Sequence, residues 1–534
     1  MKTSSIINDN KKVISKMNIQ EQIMGGFSTT SHISLHDEEN IKRTTHFFTT
    51  ANKILENAIN NSQSKLKDKF TADGLLVKKE FISDATVLEY YKGIPIERPV
   101  IDLVQQGGGM YGIALLGYTY IMEKVGIRFY SHGGASAGAI NALFLAAIPN
   151  AIYAEDSKFE YNNTSHQATK SEILTHIIAN TNFSKFMEKN GIIGWLQQKL
   201  LRNYKSIILK LFLSVFSIGF LVGIYGLFGV VFNIANGISG TELRFFDFII
   251  GTLNVAALLL FIYILFVKIL DKDFGINTGE RFYSWAENLL SSIQIETKND
   301  LTKRMDLVQL VQAKKGDKPR LVLITSNLTH NRIVKFPERA DDYWTTPGNI
   351  KPAAFLRATM SIPFIYKNFT PGEEHYKNDK DPENSVKLNA RFVDGGMLSN
   401  FPIREFHRKD NVVPRFPTFG VLLSERVMSN QNENKDSVKT IKPLENISLI
   451  GYITSFISTF RNFYDNDFLF NNKEIEKRVV TVDTKDHNWL DFWMDDTDKA
   501  KLFNKGVDAA IRQIEQFDWK TYKNIREEKI KNLN

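Results

Sequence analysis

Five residues, Gly134-Ala135-Ser136-Ala137-Gly138, constrain the fold of this chain more than any others. They read Gly-x-Ser-x-Gly, the pattern of a sharp strand-to-helix turn that lifts a serine hydroxyl clear of a sheet. Gly134 and Gly138 allow the tight backbone and the close strand–helix approach. The neighbours suit that turn. Arg128 to Ser131 supplies a short strand before it, and Ala139 to Ala147 supplies an apolar helix after it. A serine hydroxyl is a weak nucleophile at its own pKa, so an enzyme must expose it, orient it and give it a base. A small-residue turn without chemistry can carry the same five residues, so the rest of the chain has to decide.

The surrounding pattern is that of an α/β domain with a mostly parallel sheet. Val100 to Val104 reads as a strand, followed by a glycine turn, a helix over Ile113 to Lys124, and the strand before Ser136. Further strands are expected at Leu321 to Thr325, Leu388 to Val393, Phe419 to Leu423 and Arg478 to Val482, with a closing amphipathic helix over Lys499 to Phe517. Residues 1–95 form a polar, partly disordered N-terminal region with a helix expected over 46–70. The catalytic unit is expected over 96–200 and 275–520, with a basic C-terminal tail over 521–534.

Two uncharged apolar runs interrupt this unit, Leu211 to Phe232 and Phe248 to Val267. Each matches the roughly 20 residues that cross a bilayer core. They predict a transmembrane hairpin within an insertion over 205–272. Lys199, Arg202, Lys205 and Lys210 precede the first run, and Lys268 and Lys272 follow the second. Arg244 is the only basic residue in the loop between them. Positive flanks stay cytoplasmic, so the catalytic domain is expected at the cytoplasmic face of a two-pass membrane protein, most simply at a bacterial inner membrane. The N-terminus shows no apolar stretch of a cleavable signal peptide. The net charge of +8 favours anionic partners; no nucleic-acid module accompanies it, which leaves the membrane surface. The chain has no cysteine, which removes thiolate nucleophiles and thiolate metal sites. No metal or cofactor is expected, and protein partners are not identified.

Upstream of the serine lies Gly107-Gly108-Gly109-Met110-Tyr111-Gly112. Backbone N–H groups at such a turn hold anions, and acyl transfer through serine creates an oxyanion. The run also matches G-x-G-x-x-G. A dinucleotide fold, however, wants an acidic residue at the end of the next strand, where this chain has Ser131-His132 leading into the elbow. Candidates for the base are His132, His407 and His487. A further one is Asp394, which ends a strand in Phe392-Val393-Asp394-Gly395-Gly396. An Asp-Gly hairpin turn would read the same way.

Taken in order, the glycine loop, the Gly-x-Ser-x-Gly elbow and Asp-Gly-Gly resemble the patatin-like phospholipases. Arg357-Ala358-Thr359-Met360-Ser361-Ile362-Pro363-Phe364 is similar to that family's Ala-Thr/Ser-x-Ala-x-Pro segment, and Asn400-Phe401-Pro402 to its Asn-x-Pro. Where the family often carries Arg or Lys in the glycine loop, this chain has Tyr111. The resemblance implies a three-layer α/β/α fold, interrupted here by the hairpin. It also implies a serine lipid acyl hydrolase with a Ser-Asp dyad: Ser136 as nucleophile, Asp394 as base, and Gly107, Gly108, Gly109 and Met110 binding the oxyanion. Gly134, Gly138, Gly395 and Gly396 would shape the two turns. The expected substrate is a membrane phospholipid or related lipid ester. An esterase, thioesterase or acyltransferase of the same fold, and a silent membrane scaffold, remain open alternatives. Two spans between Ser136 and Asp394 would return both residues to one side of the membrane.

Overall fold

Two parallel strands, β2 (Ile94–Gln105) and β3 (Arg128–Ala135), lie at the middle of the sheet. Residues 100–105 and all of β3 are buried, as strands covered on both faces must be. The computed structural model describes residues 38–533 apart from 73–75, 92–93, 149–158, 162–163, 167–168, 190, 204–213, 215–273, 345, 372–389, 409–411, 425–462, 473–474 and 476. β4 (Leu321–Asn327) runs parallel to β3, β7 (Thr418–Ser424) parallel to β2, and β8 (Val479–Asp483) parallel to β7. Three antiparallel strands complete an eight-stranded sheet among the described residues. β1 (Thr86–Tyr91) pairs with the first half of β2, while β5 (Arg332–Phe336) and β6 (Phe392–Asp394) pair with β4. The sheet is mostly parallel, as the sequence predicts.

The alternation of side chains along a strand separates the two larger clusters of the core. Leu103, Leu323 and Val421 point into the larger cluster, with the helices; Val104, Val322 and Ile324 point to the other face, against Phe401, Ile403 and Phe406. Helices α1 (Glu38–Asn60), α2 (Gly112–Lys124), α3 (Ala137–Ala147) and α4 (Lys170–Ala179) contribute to the larger cluster. So do α6 (Glu280–Ser292), α7 (Lys298–Asp306), α8 (Pro352–Thr359) and α9 (Asp496–Gln516). The amphipathic α5 (Gly191–Arg202) lies between α4 and α6 in the chain.

Two boundaries differ from expectation. The N-terminal helix runs over 38–60 rather than 46–70. It stops where the Asn61 side chain accepts the Gln63 N–H at 3.0 Å, a local turn that competes with helix. Its Phe47, Phe48 and Leu55 are buried in the main core, with Phe48 stacked on Tyr120 at 4.4 Å. At the other end, residues expected as a basic tail form most of α10 (Trp519–Leu533). Trp519 and Tyr522 are buried, and the fully buried Arg526 donates to the Val412 carbonyl at 2.9 Å. Apart from Ser214, both apolar runs and the loop between them lie outside the described residues. Among the described residues no helix is long and apolar enough to cross a membrane.

Candidate active site

Pairing along β4 decides how the site is assembled. Residues Leu323 to Asn327 of β4 pair with β5. On the opposite edge β3 pairs with β4 up to Ala135 beside Ile324, and β6 pairs with the next residues, ending with Asp394 beside Thr325. The two strands thus share one edge of β4 and meet end to end. Ser136, one residue past β3, and Asp394, the last residue of β6, are brought together from 258 positions apart in the chain.

Ser136 sits at φ 50° and ψ −125° as the residue before α3. For a residue with a Cβ this is a strained conformation, held only where the surroundings over-determine it. The glycines of the elbow show what holds it. A Cβ on Gly134 would overlap the backbone of Gly138, and one on Gly138 would overlap the Gln105 carbonyl. The turn closes because neither position carries a side chain.

A second segment crosses both Ser136 and Asp394. The Thr359 hydroxyl accepts the Ser136 N–H at 3.0 Å and donates to the Ile324 carbonyl. The Met360 sulfur lies 3.6 Å from Ser136 Oγ. The Ser361 carbonyl accepts the Asp394 N–H at 2.9 Å. Asp394 Oδ1 accepts the Gly396 N–H at 2.7 Å. Ser136 and Asp394 are both buried, 4% and 5% exposed, so a proton passing between them would do so away from bulk water.

The glycine loop lies against the serine. A Cβ on Gly107 would come within 2.8 Å of Ser136 Cβ, 2.7 Å of the Ala135 carbonyl and 2.5 Å of Asn400 Oδ1. The four amides expected to bind the oxyanion are not equivalent. The Gly107 N–H donates to the Asn400 carbonyl at 3.0 Å and the Met110 N–H to the Trp489 carbonyl at 2.9 Å. Among the described residues no hydrogen bond claims the N–H of Gly108, Gly109 or Ala137. Ala137 escaped the sequence reading, although the residue after the serine opens a helix and its amide has no partner within that helix. Tyr111, which stands where a cation is common in the family, anchors the loop another way: its hydroxyl donates to the His487 carbonyl at 2.8 Å.

The histidines are placed differently. His132 is buried within β3, and burial with the nearby Lys170 pushes its pKa down to about 3. It is neutral at pH 7 and too weak a base for a serine. His407 packs edge-on against Phe468, on the side of the sheet away from α3. His487 contributes its carbonyl to Tyr111, and its ring pKa is lowered by partial burial.

From the loop an apolar cleft runs between α2, α3 and α4, lined by Met110, Ile113, Leu116, Ile140, Leu174 and Phe183 among others. A larger, more polar groove by Glu287, Ser291 and Lys351 shares no residue with it.

Comparison with known proteins places this arrangement. The profile of the patatin-like phospholipases matches residues 103–407, a span that includes the glycine loop, the elbow and Asp-Gly-Gly. The chain belongs to the patatin-like phospholipase family. It is accordingly a lipid acyl hydrolase. The uncharacterized protein YqhO of Bacillus subtilis (strain 168) is 23% identical over 334 residues, 62% of this chain and 75% of that protein. Among solved structures, VipD from Legionella pneumophila aligns over 85% of this chain and 73% of its own, at 12% identity and a TM-score of 0.32.

Proposed function

We propose that this patatin-like protein hydrolyses a membrane lipid ester through a Ser136–Asp394 dyad. The observation that carries the reading is the end-to-end meeting of β3 and β6 on one edge of β4. Asp394 takes the proton of Ser136 Oγ as the oxygen attacks the ester carbonyl. The hydroxyl first turns away from the Met360 sulfur, a weak acceptor. The unclaimed amides of Gly108, Gly109 and Ala137 receive the oxyanion; one such donor is worth about 3–4 kcal/mol in comparable enzymes. Asp394 returns the proton to the leaving alcohol, and water, activated by the same carboxylate, releases the acyl group.

The same reading holds the protein at the bilayer through its two uncharged runs. Both ends of the insertion are tied to the catalytic unit. Asn488 donates to the Leu201 carbonyl at 2.7 Å on one side, and the Thr278 hydroxyl donates to Glu188 at 2.6 Å on the other. Beside the second end stand Phe274 and Phe364, 52% and 62% exposed and both at positive φ. They are joined by the pairing of Gly275 with Phe364. Exposed aromatics in strained positions, a few residues from Met360, suit an apolar surface outside the fold.

The test is fatty-acid release from phospholipid liposomes by the purified protein beside Ser136→Ala. The variant should lose turnover by on the order of 10⁴- to 10⁶-fold; equal release by both would refute Ser136 as nucleophile. Replacing residues 205–272 by a Gly-Ser linker should move the chain out of the membrane pellet on fractionation. Retention in the pellet would remove the anchor.

A further inference from the structure

Asp465 lies in the helical segment 463–471, far in sequence from every motif of the site. It is buried, 6% exposed. Three donors converge on its carboxylate. Ser399 Oγ reaches Oδ1 at 2.7 Å, while the N–H groups of Asn400 and Phe401 reach Oδ2 at 2.6 and 2.8 Å. A carboxylate only accepts, so it can satisfy all three at once. These residues form the turn that leaves Asp394-Gly395-Gly396. Asn400 in turn holds Gly107 twice, donating from Nδ2 to the Gly107 carbonyl at 2.9 Å and accepting the Gly107 N–H at 3.0 Å. Gly107 is the loop residue that lies against Ser136.

We infer that Asp465 is a positioning residue for acyl transfer: through Asn400 it sets the glycine loop, and hence the oxyanion donors, against Ser136. The inference rests on the dyad reading. Two further observations support it. Apart from Asp465 the segment holds this turn by apolar and stacking contacts, Phe468 and Leu469 packing on Phe401, Ile403 and Phe406, and Arg404 lying over Tyr464 at 5.0 Å. Docking of the helix thus has apolar support besides the buried charge. Two of the carboxylate's three bonds go to backbone N–H groups of the turn that follows Asp394-Gly395-Gly396 and holds Gly107. A carboxylate there fixes the path of the main chain, where small displacements of reacting groups cost about 10²-fold in rate.

The experiment compares Asp465→Ala, Asp465→Asn and Asn400→Ala with the full-length wild type on a soluble short-chain nitrophenyl ester, with thermal unfolding measured on each. Asp465→Asn can keep Oδ1 on the two backbone N–H groups and turn its amide to Ser399 Oγ. The expected order of kcat is therefore wild type, then Asp465→Asn, then Asp465→Ala. The alanine variant should fall about 10- to 100-fold with little change in KM, and should react more slowly with a fluorophosphonate that traps Ser136. The double variant Asp465→Ala/Asn400→Ala should lose no more than the worse single one, because the two residues act as one chain. Wild-type kcat in a folded Asp465→Ala protein would overturn the inference. So would additive losses, or a kcat that follows only the folded fraction. Ser136→Ala, run in parallel, separates the failures: an inactive Ser136→Ala beside a fully active Asp465→Ala sinks this inference alone, whereas an active Ser136→Ala sinks the dyad and this inference with it.

Discussion

The two ends of α3 are treated in opposite ways. At its N-terminus Ser136 is strained, its own N–H is taken by Thr359, and no hydrogen bond among the described residues claims the Ala137 N–H. At its C-terminus the carbonyls are met by buried cations from two other helices. Lys170 Nζ of α4 donates to the Leu145 carbonyl at 3.0 Å, and Arg304 Nη1 of α7 to the Ala147 carbonyl at 3.0 Å. Arg304 continues to the Ile293 carbonyl at 3.0 Å, so one side chain ties three elements together. Cations suit the negative end of a helix dipole. The end that is saturated is structural. The end that is left short of acceptors is the one where an anion would form.

Variants at the two ends should therefore separate turnover from stability. The largest effect is expected from Gly138→Ala, whose methyl would meet the Gln105 carbonyl. Opening the elbow should reduce kcat by about 10²-fold or more on a soluble ester, in protein shown to be folded by circular dichroism. Unchanged turnover would mean the tight closure of the turn is not required. Next comes Arg304→Met, which leaves buried carbonyls without a donor and should cost about 1–3 kcal/mol in urea unfolding. Its kcat per folded molecule should stay near wild type; a loss as deep as that of Gly138→Ala would break the contrast between the ends.

The smallest effect is a pH dependence at Lys170. Burial pushes this lysine down to about 8 from 10.5, so the fold favours its neutral form. Between pH 8 and 10.5 the unfolded chain still binds a proton that the folded chain has released. This site therefore adds stability as pH rises through that window, and the gain is absent below it. Lys170→Met should lack the gain. The difference in unfolding free energy between wild type and variant should shift toward the wild type by about 1 kcal/mol from pH 8 to 9. A difference independent of pH would show that the amine keeps its charge in the fold.

Local chemistry made part of this molecule readable in advance. The elbow, the glycine loop and Asp-Gly-Gly stand out because tight turns restrict which residues can occupy them. The strands at Val100, Arg128, Leu321 and Phe419 stand out because a sheet buried on both faces needs continuous apolar runs. The edges of elements were harder to place. The N-terminal helix ends at Asn60 through a side-chain turn, and β1 and β5 pair on the outside of the sheet, where their sequences are mixed. The apolar stripe of α1 could be read, but not that it would close over Tyr120 and Phe503.

Only the folded chain shows who holds whom. Ser136 and Thr359 are 223 residues apart, Gly107 and Asn400 are 293 apart, and Asn400 and Asp465 are 65 apart. A buried aspartate and two helix-capping cations carry no local signature, because any of them could equally stand on a surface. The sequence by itself determined the turns and the runs, where the conformational limits of glycine and the hydrophobic effect act over a few residues. The tertiary structure decided which amides of the loop are engaged, which strands meet end to end on β4 and which carboxylate bonds to the turn at Asn400. Those outcomes depend on satisfying buried polar groups across strands that meet only when the sheet is complete.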